Sequence, residues 1–288
     1  MAKQPRSLSG KVAVITGGGR GIGKALAQAL TRVGVRVAIG DLDREAAERT
    51  AAELGGSAVG LPLDVTDLPG FTAFLDEVEQ RLGPIDVLVN NAGIMPITPL
   101  ELESPASVAR QLEINVRAVI HGTQEAMRRM RPRGTGHIVN IASLAGKGGY
   151  PGLATYSATK HAVVGLCEAV RFELKGSGVE VSCVMPGIVN TELSAGMHEA
   201  RVKNLEPSQV AEEIVAALKV PRFDVFVPRS TGALFKLATL LPRRAREALA
   251  HVLGADLVAV TVDASKRAAY EARAADSAPS AGEERAAA

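Results

Sequence analysis

Short apolar runs alternate with stretches of helical periodicity from about residue 11 to residue 228. Val12-Ala13-Val14-Ile15 is uniformly apolar and ends at a glycine cluster, the pattern of a strand buried on both faces. Ile22, Leu26, Ala29, Leu30 and Val33 then recur at helical spacing. The same alternation predicts further strands at 35–39, 57–63, 85–89, 137–141, 179–185 and 223–227. Helices are predicted between them at 43–54, 67–82, 104–131, 155–175 and 207–219, with Asn115 a polar residue inside the long third one. Parallel strands joined by single helices require right-handed crossovers. The expected fold is therefore α/β, a doubly wound, seven-stranded parallel sheet with helices on both faces.

Beyond residue 228 the pattern changes. Leu234, Leu237, Leu241, Leu249 and Leu253 form an apolar stripe interleaved with Arg243, Arg244 and Arg246, and Pro242 should break the helix that carries it. No linker precedes residue 229, so residues 1–228 are expected to form one domain and 229–275 a helical extension. Residues 276–288 are small and polar and are expected to be disordered.

Composition narrows the function. Hydrophobic residues make up 47% of the 288, enough for a sizeable core, but aromatics are only 3% and Trp is absent. The core must be aliphatic, and a base-stacking platform is disfavoured. With 33 basic and 31 acidic residues the net charge is +2, which argues against a nucleic-acid partner. Two cysteines, Cys167 and Cys183, do not make a disulfide framework and read as core residues; Gly165 nearby suggests close helix packing. The five histidines show no metal-ligand spacing, so no metal is expected. No apolar run reaches about 18 residues, and the first residues lack a signal-peptide core, so a cytoplasmic protein is expected.

The chemistry begins at Thr16-Gly17-Gly18-Gly19-Arg20-Gly21-Ile22-Gly23, which follows a strand and opens a helix. Glycines there let the backbone approach a pyrophosphate seated on the helix N-terminus. The fold is then Rossmann-like. Asp41 ends the second strand, 18 residues after Gly23. A carboxylate at that point can accept both ribose hydroxyls of an adenosine and would repel a 2′-phosphate, favouring NAD over NADP. Alternatively, Asp41 is only a solvated strand-end residue, with Asp43 capping the next helix. Arg20 works against the NAD preference, because a guanidinium in the loop could pair a 2′-phosphate.

TGGGRGIG, Leu63-Asp64-Val65, Asn90-Asn91-Ala92-Gly93, Asn115, Ser143, Tyr156-Ser-Ala-Thr-Lys160 and Pro186-Gly187 follow one another in this order. Over residues 8–228 the chain thereby resembles the short-chain dehydrogenase/reductase family, in its Tyr-x-x-x-Lys branch. The resemblance implies an NAD(P)-dependent oxidoreductase acting on CH–OH groups. It implies cofactor contacts from Gly17, Gly19, Arg20, Gly21, Ile22, Gly23, Asp41 and Leu42. Asp64 and Val65 would flank the adenine, and Asn91, Ala92 and Gly93 would line the adenosine side. Pro186, Gly187, Ile188 and Thr191 would lie at the nicotinamide, with Tyr156 and Lys160 beside them. Asn115 would hold a water that relays protons from Lys160. A homodimer or homotetramer is implied as well.

The residues themselves support a redox site. Tyr156 and Lys160 lie one helical turn apart and project from one face. A phenol is a poor base at pH 7, and a nearby ammonium favours its ionised form. Ser143 ends the fifth strand, at the sheet edge where such folds bind ligands, and its hydroxyl can hold a substrate oxygen beside Tyr156. Each residue alone could be ordinary: a surface Tyr–Lys pair, a turn serine, an asparagine capping a broken helix.

The substrate side is apolar. Ile94, Met95, Pro96, Leu144 and Tyr150 are the candidate walls, with 192–206 a lid, and no arginine among them clamps a carboxylate. The expected substrate is a lipophilic secondary alcohol or ketone: sterol-like, long-chain or isoprenoid. Two alternatives are an NADPH-dependent 3-oxoacyl-carrier-protein reductase, suggested by Arg20, and a non-catalytic dinucleotide-sensing regulator. The stripe at 230–253 packs over the pocket or a neighbouring subunit, or else makes peripheral membrane contact.

Overall fold

A computed structural model describes residues 5–197, 204–238, 240–252, 262–275 and 277. Seven strands form one sheet: β1 (Val12–Thr16), β2 (Arg36–Asp41), β3 (Ala58–Pro62), β4 (Val87–Asn90), β5 (Gly136–Ile141), β6 (Val179–Pro186) and β7 (Asp224–Val227). They are ordered β3-β2-β1-β4-β5-β6-β7, and every neighbouring pair is parallel. Ile15 of β1 sits beside Ile39 of β2 and Val89 of β4.

Alternate strand residues feed opposite faces of the sheet. Ala13, Ile15, Val37 and Ile39 join one core with Leu26 and Leu30 of α1 (Gly21–Arg32), Ala47 of α2 (Arg44–Leu54) and Ile214 of α7 (Pro207–Lys219). Val12, Val14, Leu88 and Ile138 join the other with Phe71 of α3 (Leu68–Leu82), Ala126 of α5 (Ala118–Met130) and Val170 of α6 (Ala154–Glu173). The first core is aliphatic, and the second is mainly so, with Phe71 and Phe74 its buried phenylalanines.

Two features depart from the expected elements. The helix expected at 104–131 divides into α4 (Pro105–Leu112), a π-turn over Glu113–Arg117, and α5. The π-turn surrounds Asn115, which is fully buried. Gly165 makes no close approach within the chain, since a Cβ there would meet no atom within 4 Å. Within the chain, then, no other helix among the described residues packs closely at Gly165.

The extension is helical. It comprises α8 (Arg229–Ala238), α9 (Arg243–Val252) and α10 (Ala264–Ala275), with Pro242 between α8 and α9. Phe235 of α8 stacks on Phe226 of β7, with ring centroids 6.4 Å apart, which fastens α8 beside the sheet edge. Leu237 and Leu240 remain exposed. Tyr270 and Ala274 of α10 are buried against the second core. The stripe residue Leu253 and, apart from Ser277, the tail at 276–288 lie outside the described residues. No helix among the described residues is long and apolar enough to cross a membrane.

Candidate active site

The carboxyl ends of β1, β2, β4, β5 and β6 open into one cavity of about 1160 Å³. At its first end, the loop after β1 turns through Gly17, whose φ is +62°. A Cβ there would lie 2.9 Å from Ala92 Cα, so only glycine fits between β1 and β4. Thr16 Oγ1 accepts from the backbone N–H of Asn91 and of Ala92, each at 3.0 Å. Asn91 Nδ2 donates to Thr16 O and Gly17 O, each at 2.9 Å. Asn91 thus braces the loop as well as lining the cavity.

Helix α1 begins at Gly21 with no side-chain cap and no acidic residue in its first turn. Its leading N–H groups and its positive dipole end are therefore left for an anion. Together with the glycine turn, this fits the pyrophosphate of a dinucleotide. Gly23 and Gly19 do not line the cavity but make the turn possible. A Cβ on Gly23 would lie 2.4 Å from Gly17 O, and Gly19 N–H donates to Asp41 Oδ2 at 2.9 Å.

Asp41 lines the cavity at the end of β2 and also accepts from Asp43 N at 3.1 Å. Asp43 is the N-cap of α2, accepting from Ala46 N at 3.0 Å. It also pairs with the guanidinium of Arg20. Arg20 lies a further 3.7 Å from Glu192, which pairs with Arg273 of α10 at 2.7 Å. The one cation in the glycine loop is thus shared by two carboxylates.

At the other end, Ser143 leaves β5 in extended conformation and Tyr156 and Lys160 rise from α6. Tyr156 and Ser143 line the same end of the cavity, and the Ser143 hydroxyl accepts from Ala145 N at 3.1 Å. Lys160 Nζ sits 5.5 Å from the Tyr156 ring centroid and donates to Ile141 O at 2.9 Å. Burial pushes the phenol up to about 12, partly offset by the Ser143 side chain. Burial pushes the Lys160 ammonium down to about 8. Burial thus dominates the phenol in this cavity, whereas the expected lowering also counts on the positive charge of an oxidised nicotinamide.

Asn115 does not line the cavity. Its Oδ1 accepts from Ile94 N at 2.9 Å and its Nδ2 donates to Ile94 O at 2.8 Å, pinning the loop after β4. Nδ2 also donates to Thr159 Oγ1 at 3.3 Å, so both ends of the side-chain amide are engaged within the protein. Gly19 and Gly23 apart, every other predicted cofactor and substrate position lines the cavity, from Gly17 and Asp41 to Met95, Leu144, Tyr150 and Thr191. Ile94 lines it too, whereas Pro96 does not. Of the expected lid, Glu192, Leu193, Ser194, Met197 and Leu205 border the site, and 198–203 lie outside the described residues.

The α8 wall agrees with the reading that the stripe at 230–253 packs over the pocket; the α10 wall was missed. Leu234 and Phe235 of α8 and Tyr270 and Arg273 of α10 line the cavity. One signal was present: Tyr270 is the sole aromatic residue after Phe235.

Residues 11–202 match the family model described as short chain dehydrogenase. The chain belongs to the short-chain dehydrogenase family. It is therefore an NAD(P)-dependent oxidoreductase acting on CH–OH groups. A sorbitol dehydrogenase of Cereibacter sphaeroides is 38% identical over 218 residues, covering 75% of this chain and 85% of that one. A 3-alpha-(or 20-beta)-hydroxysteroid dehydrogenase of Mycobacterium tuberculosis is 36% identical over 213 residues, covering 72% and 82%. Among solved structures, the 3-ketoacyl-(acyl-carrier-protein) reductase of Brucella melitensis with NADH superimposes with a TM-score of 0.70 at 32% identity, covering 77% of this chain and 98% of that one.

Proposed function

We propose that the protein interconverts a lipophilic secondary alcohol and its ketone, using NAD(H). The observation that carries this reading is the Ser143–Tyr156–Lys160 cluster at the floor of an apolar pocket that is continuous with the glycine cradle. Met95, Ala145, Leu153 and Tyr156 form one apolar cluster there, with Ile97, Leu193 and Met197 against it. The bound nicotinamide supplies the hydride exchange with the carbinol carbon. Ser143 holds the substrate oxygen, and Tyr156 takes the hydroxyl proton in oxidation and returns it in reduction. Lys160 stabilises the phenolate and anchors the cofactor ribose. Asn115 keeps Ile94, and so the loop beneath the pocket, in place.

The preference for NAD rests on charge. A 2′-phosphate at the end of β2 would meet Asp41 and Asp43, and Arg20 is already engaged by Asp43 and Glu192. The carrier-protein reductase alternative requires selective use of NADPH and acyl thioesters. The sensor alternative does not account for a buried phenol and ammonium arranged against a serine hydroxyl.

Purified protein should be assayed with NAD⁺ and NADP⁺ against lipophilic secondary alcohols, short hydroxy acids and, in reverse, 3-oxoacyl thioesters. Turnover is expected with NAD⁺ and the lipophilic alcohols. Tyr156→Phe should lower kcat by at least about a hundredfold while leaving NADH binding intact. Preference for short hydroxy acids, or for NADPH and acyl thioesters, would overturn the reading.

A further inference from the structure

Helix α10 contributes a polar group to the pocket that no reacting step uses. Arg267, only 3% exposed, reaches across two loops. Its Nη1 donates to Leu193 O at 2.7 Å and Ala195 O at 3.2 Å, and its Nη2 donates to Met95 O. Its guanidinium carbon lies 4.6 Å from the Tyr270 ring centroid, and Glu271 pairs with Nε at 2.5 Å. One side chain therefore clamps the loop after β4 to the segment after β6, and the ring of Tyr270 is fixed beneath it.

Tyr270 is 8% exposed and lines the cavity on the same side as Met95. Its hydroxyl oxygen accepts from Met95 N at 2.7 Å. Among the described residues it donates to none. A hydroxyl carries one donor hydrogen, and leaving it unpaired in an apolar surround is costly. The acceptor side of this hydroxyl is spent on the protein, and the donor side is not.

Resting on the proposed alcohol–ketone function, we infer that the Tyr270 hydroxyl is a second substrate anchor, which donates a hydrogen bond to an oxygen remote from the reacting carbon. The substrate class narrows accordingly. It is a lipophilic secondary alcohol or ketone with a second oxygen acceptor, a carbonyl, ether or hydroxyl, elsewhere on an apolar skeleton. Monofunctional alcohols fill the same pocket but leave the hydroxyl unsatisfied.

The test is a cycle of two substrates and two proteins. The substrates are a rigid lipophilic secondary alcohol and its counterpart with one remote keto group. The proteins are the full chain and its Tyr270→Phe variant. The full chain should show a KM about three- to tenfold lower for the keto alcohol, the range of one neutral hydrogen bond, at similar kcat. Tyr270→Phe should erase that difference. The variant also deprives Met95 N–H of its acceptor, but that structural loss falls on both substrates alike and leaves their ratio unchanged. Equal KM values in the full chain, or a ratio that survives in Tyr270→Phe, would overturn the inference. Failure of the full chain to oxidise either alcohol would instead defeat the proposed function.

Discussion

Replacing Lys160 by Met should move the pH dependence of catalysis. The stem keeps nearly its volume, and the charge goes. In the structure Nζ stands 5.5 Å from the Tyr156 ring centroid, and at an effective dielectric of about 20 two unit charges at that distance interact by about 3 kcal/mol. That is about two pKa units on the phenol. The ammonium exists mainly below its own value of about 8, so the effect should be read between about pH 6 and pH 8. Alcohol oxidation needs the phenolate, so its rate falls as pH falls below the phenol's pKa. Loss of the ammonium raises that pKa. On this limb kcat/KM for alcohol oxidation should therefore drop by about a hundredfold at fixed pH, with the profile displaced upward by about two units. The assay is the initial rate of NADH formation across the pH range, with a thermal melt to follow the lost bond to Ile141 O. A uniform fall in rate with the profile unmoved within half a unit would refute the electrostatic role and leave Lys160 as a binding residue alone.

Three further outcomes are expected. Asp43→Asn keeps the N-cap of α2 but releases Arg20; since the two side chains are 40% and 35% exposed, the gain in NADPH affinity should be no more than about fivefold, with NADH affinity nearly unchanged. Fluorescence titration with both cofactors measures it, and no change for NADPH would mean that Arg20 is not held in check by this pair. Gly23→Ala places a Cβ 2.4 Å from Gly17 O, so NADH affinity should weaken more than tenfold in the same titration; unaltered binding would show that the loop can give way. His137 is buried against Ser182 Oγ at 2.8 Å, and burial pushes it down to about 3 from an unfolded value near 6.5. The neutral ring therefore supports stability fully above about pH 6.5, and that contribution is lost as pH falls toward 3; urea unfolding at pH 7 and pH 5 should show about 2 kcal/mol less pH-dependent loss in His137→Asn, whereas equal losses in the two proteins would contradict this.

The strands were legible because a parallel strand buried on both faces is an unbroken apolar run, as in Val12–Ile15. The cradle was legible because its glycines are required by close contact, as at Gly17 and Gly23. What could not be read locally was set by tertiary contact. The π-turn depends on Asn115 meeting the Ile94 backbone across 21 positions. Tyr270 and Arg267 reach Met95 across 175 and 172 positions. Helix α10 is alanine-rich with a weak apolar stripe, and nothing in its periodicity names the loops that it grips. The sharing of Arg20 between Asp43 and Glu192 likewise required the segment after β6 to fold back over the glycine loop.

The π-turn at Glu113–Arg117 has a consequence for insertions and deletions. It makes α4 and α5 one rod carrying one residue more than α-helical winding would allow. Deleting one residue of that turn would restore regular winding and, because the wide turn absorbs the extra residue, would leave α4 and α5 facing nearly as they do now. Gln111, the buried residue of α4, would still face inward with Val119, Gly122 and Ala126 of α5; what would be lost is the bulge that presents Asn115 to the Ile94 backbone. The segment should accept side-chain exchange on its solvent face far more readily than a change in length. A shortened homologue would have to compensate by rebuilding the loop that Asn115 now holds.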